Sequence, residues 1–351
     1  MRRAYFYTLL VVLSWAISLV LNKAMLLAER GGVRLTPTQV AFWAILVGWV
    51  CLLLLLLVRG RLRHLGDIAG RGWVILALMG CLGWAGYTVA LNYAFTQLPL
   101  PDAIIINYLH PMFVVMCQGP AFGAVVRRLS HSERVPDRSG RPGTARLALG
   151  FLLCLAGVAL IATRGEPAGL LRLQISAGAL AALFAAFAWG VYSNLGRFVT
   201  LRPGREVPGA SDLHSFLAMT VGLVVMGASL VAAGQTGLPA GYHTALFMLR
   251  WGPLWVPASS LILFSGMVVY GGGFTLWLYA LELGARLGEA HKLPPLTYLT
   301  PVLSVALGWA VLHQGAGPGF WQGAGLIAAG NLVIVLHRHK SHGNGSAPNA
   351  A

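Results

Sequence analysis

Asn107-Tyr108-Leu109-His110-Pro111 lies inside a long apolar run, and 190 positions later Thr297-Tyr298-Leu299-Thr300-Pro301 lies inside another. Both carry Tyr-Leu-x-Pro. A single such pair would mean little, but the first occupies the fourth apolar run of the chain and the second the ninth. Other runs correspond in the same way. Trp15 is followed by Asn22 in the first and Trp189 by Asn194 in the sixth, while Tyr93 and Tyr279 close the third and eighth.

The runs themselves are long enough to cross a bilayer. About 20 mostly apolar helical residues span its roughly 30 Å hydrocarbon core. Ten segments qualify, at about 5–28, 37–58, 72–96, 102–126, 146–163, 175–200, 212–234, 257–283, 288–312 and 319–337. The first lacks a cleavage site and reads as a retained helix rather than a signal peptide. Only 10% of the 351 residues are charged and 57% are hydrophobic, with a mean hydropathy of +0.72. Soluble domains carry about 25% charged residues, so a water-facing surface of normal size cannot be built. The expected fold is an all-α polytopic membrane protein of ten transmembrane helices, arranged as two inverted five-helix repeats. Residues 1–165 form the first repeat and 173–340 the second, with a disordered cytoplasmic tail at 341–351. An odd number of helices per repeat inverts the second relative to the first, a pattern common in secondary transporters with a midplane site between the halves.

The net charge of +15 would point to nucleic acid in a soluble protein. In a membrane protein, Lys and Arg gather instead in cytoplasmic loops. With the N-terminus inside, 18 of the 25 fall in inner loops and 5 in outer ones, and Lys23 and Lys292 fall within helices. This bias places both termini in the cytoplasm of an inner (plasma) membrane protein and removes the case for nucleic acid. Cys51, Cys81, Cys117 and Cys154 stand singly in apolar runs without metal-ligand or redox spacing, so no metal, cofactor or disulfide is expected.

Chemistry-bearing residues concentrate near the middle of the runs. Pro111 and Pro301 each remove an amide donor and crowd the carbonyl four residues back, at Asn107 and Thr297. Two kinked helices lining a polar site are therefore expected, with Asn107, His110, Thr297 and Tyr298 beside the kinks; satisfaction of the freed carbonyls by packed neighbours is the competing explanation. Trp15, Trp84, Tyr87, Trp189, Tyr192 and Tyr270 lie at mid-run and would make aromatic walls suited to an apolar or aromatic ligand. Core packing is their alternative role. Lys23 either snorkels outward or pairs with Asp102 as an outer gate, and Lys292 occupies the equivalent place on the inner side. All ten Asp and Glu fall in loops or near helix ends, which argues against ion coupling through a buried carboxylate. No Ser/His/Asp grouping or phosphate-cradling loop supports an enzyme, although an intramembrane lipid-modifying enzyme using His110 or His291 is the alternative class.

The five-plus-five layout, Asn107-Tyr108-Leu109-His110-Pro111, Tyr298-Leu299-Thr300-Pro301-Val302-Leu303-Ser304 and Phe320-Trp321-Gln322-Gly323 resemble the EamA-like branch of the drug/metabolite transporter superfamily, above all its aromatic amino acid exporters. The resemblance implies a permease that exports small metabolites, most of all aromatic or other apolar amino acids. It also implies a central cavity between helices 1, 3, 4, 6, 8 and 9 whose access alternates. His110 departs from the large aromatic common at its position, and Lys292 with Pro294-Pro295 departs from a smooth apolar stretch. Both departures bear on the substrate rather than on the fold.

Overall fold

The computed structural model describes residues 2–27, 29–30, 33–117, 120–130, 144–163, 165–166, 176–199, 210–237, 248–251, 254–286, 293, 296–297 and 299–335. Tyr298, Lys292, His291, Pro294-Pro295 and the tail at 341–351 lie outside them.

Helices dominate: α1 (Arg2–Leu27), α2 (Pro37–Val58), α3 (Gly72–Leu78), α4 (Tyr87–Gln97), α5 (Leu100–Asn107), α6 (His110–Met116), α7 (Pro120–Ser130), α8 (Thr144–Ala162), α9 (Ala177–Leu195), α10 (Ala210–Ala232), α11 (Ala258–Phe264), α12 (Phe274–Arg286), α13 (Leu299–Leu312) and α14 (Phe320–Val335). A π-helical stretch, Met79–Gly86, joins α3 to α4, and a second, Ser265–Gly273, joins α11 to α12. Two short antiparallel hairpins are described, Glu29–Arg30 with Val33–Arg34 and Met248–Trp251 with Leu254–Pro257.

Local sequence sets where these helices begin. Thr36 caps α2 in a reciprocal capping box: its hydroxyl accepts from the Gln39 amide at 3.3 Å, and Gln39 Oε1 accepts from the Thr36 amide at 3.0 Å. Pro37, at the first helical position, has no amide hydrogen to leave unpaired there. Ser176 caps α9 through a 3.1 Å bond from the Ala179 amide.

Among the described residues, six helical segments are long and apolar enough to cross a membrane: Arg2–Leu27, Pro37–Val58, Gly72–Gln97, Ala177–Leu195, Ser211–Ala232 and Ser259–Trp277. A seventh is Leu100–Met116 taken with Ala121–Leu129, bent by 78°. The protein is a multi-pass integral membrane protein. The other three expected crossings also contain helix: α8 has 19 residues, and the described parts of the last two, Leu299–Leu312 and Phe320–Val335, have 14 and 16 and border residues outside the described ones.

Pro111 stands in the first turn of α6, just after the turn at Tyr108-Leu109 that separates it from α5, and Pro301 stands near the described start of α13, which Tyr298, outside the described residues, precedes.

The helices pack in recurring pairs. α2 lies on Ser265–Gly273, and α10 lies on Met79–Gly86; α1 packs along α13, α9 along α5 and α6, and α8 along α14. Glycine brings some of these backbones together. A Cβ on Gly323 would stand 2.6 Å from the Gly157 carbonyl oxygen and 2.5 Å from Ile161, which is why α8 and α14 lie so close. Outward faces carry Leu13, Leu54, Val224 and Leu332, apolar side chains exposed to what is lipid in the membrane.

Candidate functional site

Between α1, Gly72–Gln97, α5, α6, α9 and the Ser265–Gly273 stretch lies a central cavity of about 90 Å³, room for a few water molecules. Of the ten expected binding residues, Trp15, Trp84, Tyr87, Asn107, His110, Trp189, Tyr270 and Thr297 line it. Tyr192 does not line it but stands behind the wall, edge-on to Trp84 at 6.0 Å and against Trp189 at 5.3 Å. Gly83 gives it that place, since any side chain there would strike the Tyr192 ring.

Aromatic rings make most of the wall. Tyr87 and Trp189 have centroids 4.9 Å apart, as do Trp84 and Phe274, and Trp189 also meets His110 at 6.4 Å. Two elements of the wall, Trp84 and Tyr270, belong to the two π-helical stretches. Such stretches widen the helix locally and recur at functional sites.

Leu19, Leu91 and Val269 add apolar surface, and the polar lining residues are uncharged. Asn22, Asn92, Thr88, Ser18 and Thr300 join Asn107 and Thr297, and no Asp, Glu, Lys or Arg is among the described lining residues. Sequence reasoning did not place Ser18, Thr88, Asn92 or Phe274 here. The signal was helical spacing: Trp15, Ser18 and Asn22 fall on one stripe of α1, and Trp84, Thr88 and Asn92 on one stripe of Gly72–Gln97.

Some of these polar groups are spent inside the protein. His110 Nδ1 donates to the Asn107 carbonyl at 3.3 Å, the carbonyl that Pro111 deprives of its helical donor. The adjacent Tyr108 carbonyl accepts from Asn331 Nδ2 at 3.1 Å. Packed neighbours thus satisfy this break. Other buried atoms meet no partner in hydrogen-bonding geometry: Trp15 Nε1, Trp84 Nε1 (with the Tyr192 phenol close by), Asn22 Oδ1, Asn107 Oδ1 and Thr300 Oγ1. The Tyr270 phenol lies close to Asn22 and that of Tyr87 close to Asn107, yet neither meets the asparagine oxygen in hydrogen-bonding geometry. Buried polar atoms are almost always bonded, so five such atoms around one cavity make it the candidate site.

Lys23 and Asp102, expected at the outer end, are both described. Lys23 is buried, and its ammonium donates to the carbonyls of Phe95 and, at 2.9 Å, Leu98. It therefore caps the C-terminal end of α4, where a cation meets the negative end of the helix dipole. Asp102 is buried in the first turn of α5. At the opposite end, Asp212 at the start of α10 binds the guanidinium of Arg61 and, at 3.5 Å, that of Arg59. No cluster of three metal-ligating side chains exists among the described residues.

A second, larger hollow of about 990 Å³ opens between α13 and α14. Pro301, Val305, Trp309, Trp321 and Leu332 line it, with Gln314 and Asn331 as polar residues.

Comparison with known proteins agrees with a membrane carrier fold. Residues 2–128 match the EamA-like transporter family. The chain is 24% identical to a protein named riboflavin transporter from Brucella anthropi, over 84% of this chain and 87% of that one. A solved crystal structure matches with a TM-score of 0.53 and 22% identity, covering 96% of this chain and 98% of its own; that likeness concerns the fold alone.

Proposed function

We propose that this protein is a metabolite carrier that works by alternating access, with its substrate in the central cavity, and that the substrate is a planar heteroaromatic compound of the flavin kind rather than an amino acid. The observation that carries the substrate class is the cavity wall: rich in aromatic rings, without charged side chains among the described lining residues, and furnished with unbonded amide oxygens and indole donors. A zwitterionic amino acid would bring a carboxylate and an ammonium into a site with no opposite charge, which is costly at membrane depth. A flavin ring brings a stacking face and neutral donors and acceptors. The relative named riboflavin transporter points the same way.

Two inverted five-helix halves, residues 1–165 and 173–340, would rock about this cavity. The packing supports that arrangement, because exchanging each helix for its counterpart in the other half reproduces the pairs. α2 on Ser265–Gly273 becomes α10 on Met79–Gly86, α1 on α13 becomes α9 on α5 and α6, and α8 on α14 maps onto itself. Contacts between loops support the alternation of sides. Asp212 meets Arg59 and Arg61 at one end of the α2–α10 seam, and at the other Gln39 Nε2 donates to the Gly237 carbonyl at 3.0 Å. With the bias of basic residues, this favours cytoplasmic termini in an inner membrane. The roughly 90 Å³ now free is too little for a tricyclic ring, so loading requires the halves to part.

Uptake and counterflow in proteoliposomes test the proposal, with labelled riboflavin set against phenylalanine, tyrosine and tryptophan. Saturable riboflavin flux that amino acids do not compete away, and that Asn107→Ala and Thr297→Ala abolish in folded protein, is the expected result. Amino acid flux without flavin flux would overturn the substrate class and restore the aromatic amino acid exporter. Chemical conversion of a lipid or metabolite would overturn the carrier.

A further inference from the structure

Asn22 and Asn92 are 5% and 1% exposed, and both line the cavity. They form a chain whose direction is fixed from one end. Pro37, opening α2, offers its carbonyl to Asn92 Nδ2 at 3.2 Å. A carbonyl can only accept, so the amide nitrogen of Asn92 must face it. Asn92 Oδ1 therefore turns toward α1 and accepts from Asn22 Nδ2 at 3.4 Å. That bond keeps the Asn22 nitrogen toward Asn92, with its second N–H near the Tyr270 phenol, and fixes the Asn22 oxygen on the opposite side, where it is buried and unbonded.

Resting on the carrier reading above, we infer that Pro37, Asn92 and Asn22 form an amide relay that fixes a hydrogen-bond acceptor in the cavity, and that the relay selects substrates bearing a ring N–H donor, as the imide edge of a flavin does. A free asparagine could flip to offer a donor or an acceptor and would tolerate either kind of ligand edge. Here a flip of Asn22 alone would set two amide oxygens against each other, and a matching flip of Asn92 would turn an oxygen onto the Pro37 carbonyl. Asn92 is thus a positioning residue that acts through Asn22. Asn107 Oδ1, the second unbonded amide oxygen, adds a further acceptor, while Trp15 Nε1 and Trp84 Nε1 are unbonded donors for ring carbonyls. A neutral edge that alternates acceptor, donor and acceptor matches this set. An N-alkylated edge does not, since it leaves the relay's terminal acceptor buried and unpaired.

The test compares riboflavin with N3-methylriboflavin, in which a methyl group replaces that donor hydrogen, by quenching of flavin fluorescence on the full-length purified protein in nanodiscs. Wild-type protein is expected to bind the N–H form about tenfold or more tightly, the scale on which polar sites reject a ligand that leaves their groups unpaired. Asn92→Leu is expected to bring that ratio close to one while riboflavin affinity falls only severalfold, because Asn22 is then free to turn. A merely structural role for Asn92 would lower the melting temperature and leave the ratio unchanged. Equal affinity of wild-type protein for the two flavins would overturn the relay and leave the carrier standing, and that comparison needs no variant to fold. Absence of binding by either flavin would overturn the flavin reading and this inference with it.

Discussion

The central cavity and the hollow between α13 and α14 differ about elevenfold in volume, roughly 90 against 990 Å³, and the smaller is the better candidate site. The difference lies in their polar atoms. Around the cavity, five buried polar atoms meet no partner in hydrogen-bonding geometry. At the hollow, Asn331 donates to the Tyr108 carbonyl at 3.1 Å and its nitrogen is spent in holding α14 against the break before α6. Trp309 and Trp321 beside it are 68% and 72% exposed. The hollow has apolar area but little to orient a ligand, and in a bilayer such a surface is wetted by acyl chains. Unfinished hydrogen bonding discriminates between the two regions where volume misleads.

The sharpest way to break this contrast is to remove one wall of the cavity. Trp189 meets Tyr87, Tyr192, His110 and Phe274, so Trp189→Ala opens the stacking face from several sides at once. A fall in flavin flux on the order of 100-fold is expected in initial-rate measurements, because misplacing a bound substrate by even an ångström can cost that much. Flux within twofold of wild type would shift attention away from the cavity.

A glycine pair sharpens the contrast next. At Gly48 a Cβ would run into Tyr270 and stand 3.1 Å from the Gly266 carbonyl oxygen, whereas nothing lies within 4 Å at Gly325 in the hollow. Gly48→Val is expected to destabilise the protein by roughly 1–3 kcal/mol, the usual cost of overpacking, and to lower flux by displacing Tyr270. Gly325→Val is expected to leave both unchanged within error. Thermal melts and flux on the same preparations check the pair, and similar losses at the two glycines would erase the distinction.

The α2–α10 seam bounds the cavity side of the molecule. Trp49 Nε1 donates to Thr220 at 2.8 Å there and stacks on Phe216 at 5.2 Å. Asp212→Asn keeps the shape but removes the charge that Arg59 and Arg61 share. Both arginines are partly exposed, 41% and 26% in their side chains, so solvent screening reduces the loss to about 1 kcal/mol. A melt that falls by a few degrees, and falls less in high salt, is the expected outcome; a salt-independent change would deny the ion pair its part.

Much of this arrangement was legible in the sequence, and the residues show why. Hydropathy located every long helix because burial in lipid demands unbroken apolar runs. Trp15, Trp84, Tyr87 and Trp189 were found because mid-run aromatics with polar neighbours are rare in plain packing. Asn22 and Asn92 were harder, since what makes them informative is a pairing 70 positions apart and a carbonyl on a third helix. Around Pro111, the turn at Tyr108-Leu109 is met by Asn331, a partner far along the chain that no local pattern announces. Charge was legible but not its partner: Lys23 caps α4 through two carbonyls, and carbonyls leave no mark in the sequence.

The smallest effect is expected at the hollow. Trp309→Ala and Trp321→Ala each remove a large ring whose neighbours, beyond Phe320 beside Trp321, are mainly lipid in the membrane. Exposed substitutions usually change stability by no more than about 0.5 kcal/mol, which corresponds to roughly a twofold change in an equilibrium. Flux and melting temperature should therefore stay within that range for either variant. Since the fluorescence assay detects binding separately from transport, flavin affinity should also be unmoved. A larger fall in flux with affinity preserved would mean that the face between α13 and α14 takes part in the rocking of the halves. A fall in affinity would instead make the hollow a second ligand site, and the contrast in unbonded polar atoms would no longer suffice to choose between the two regions.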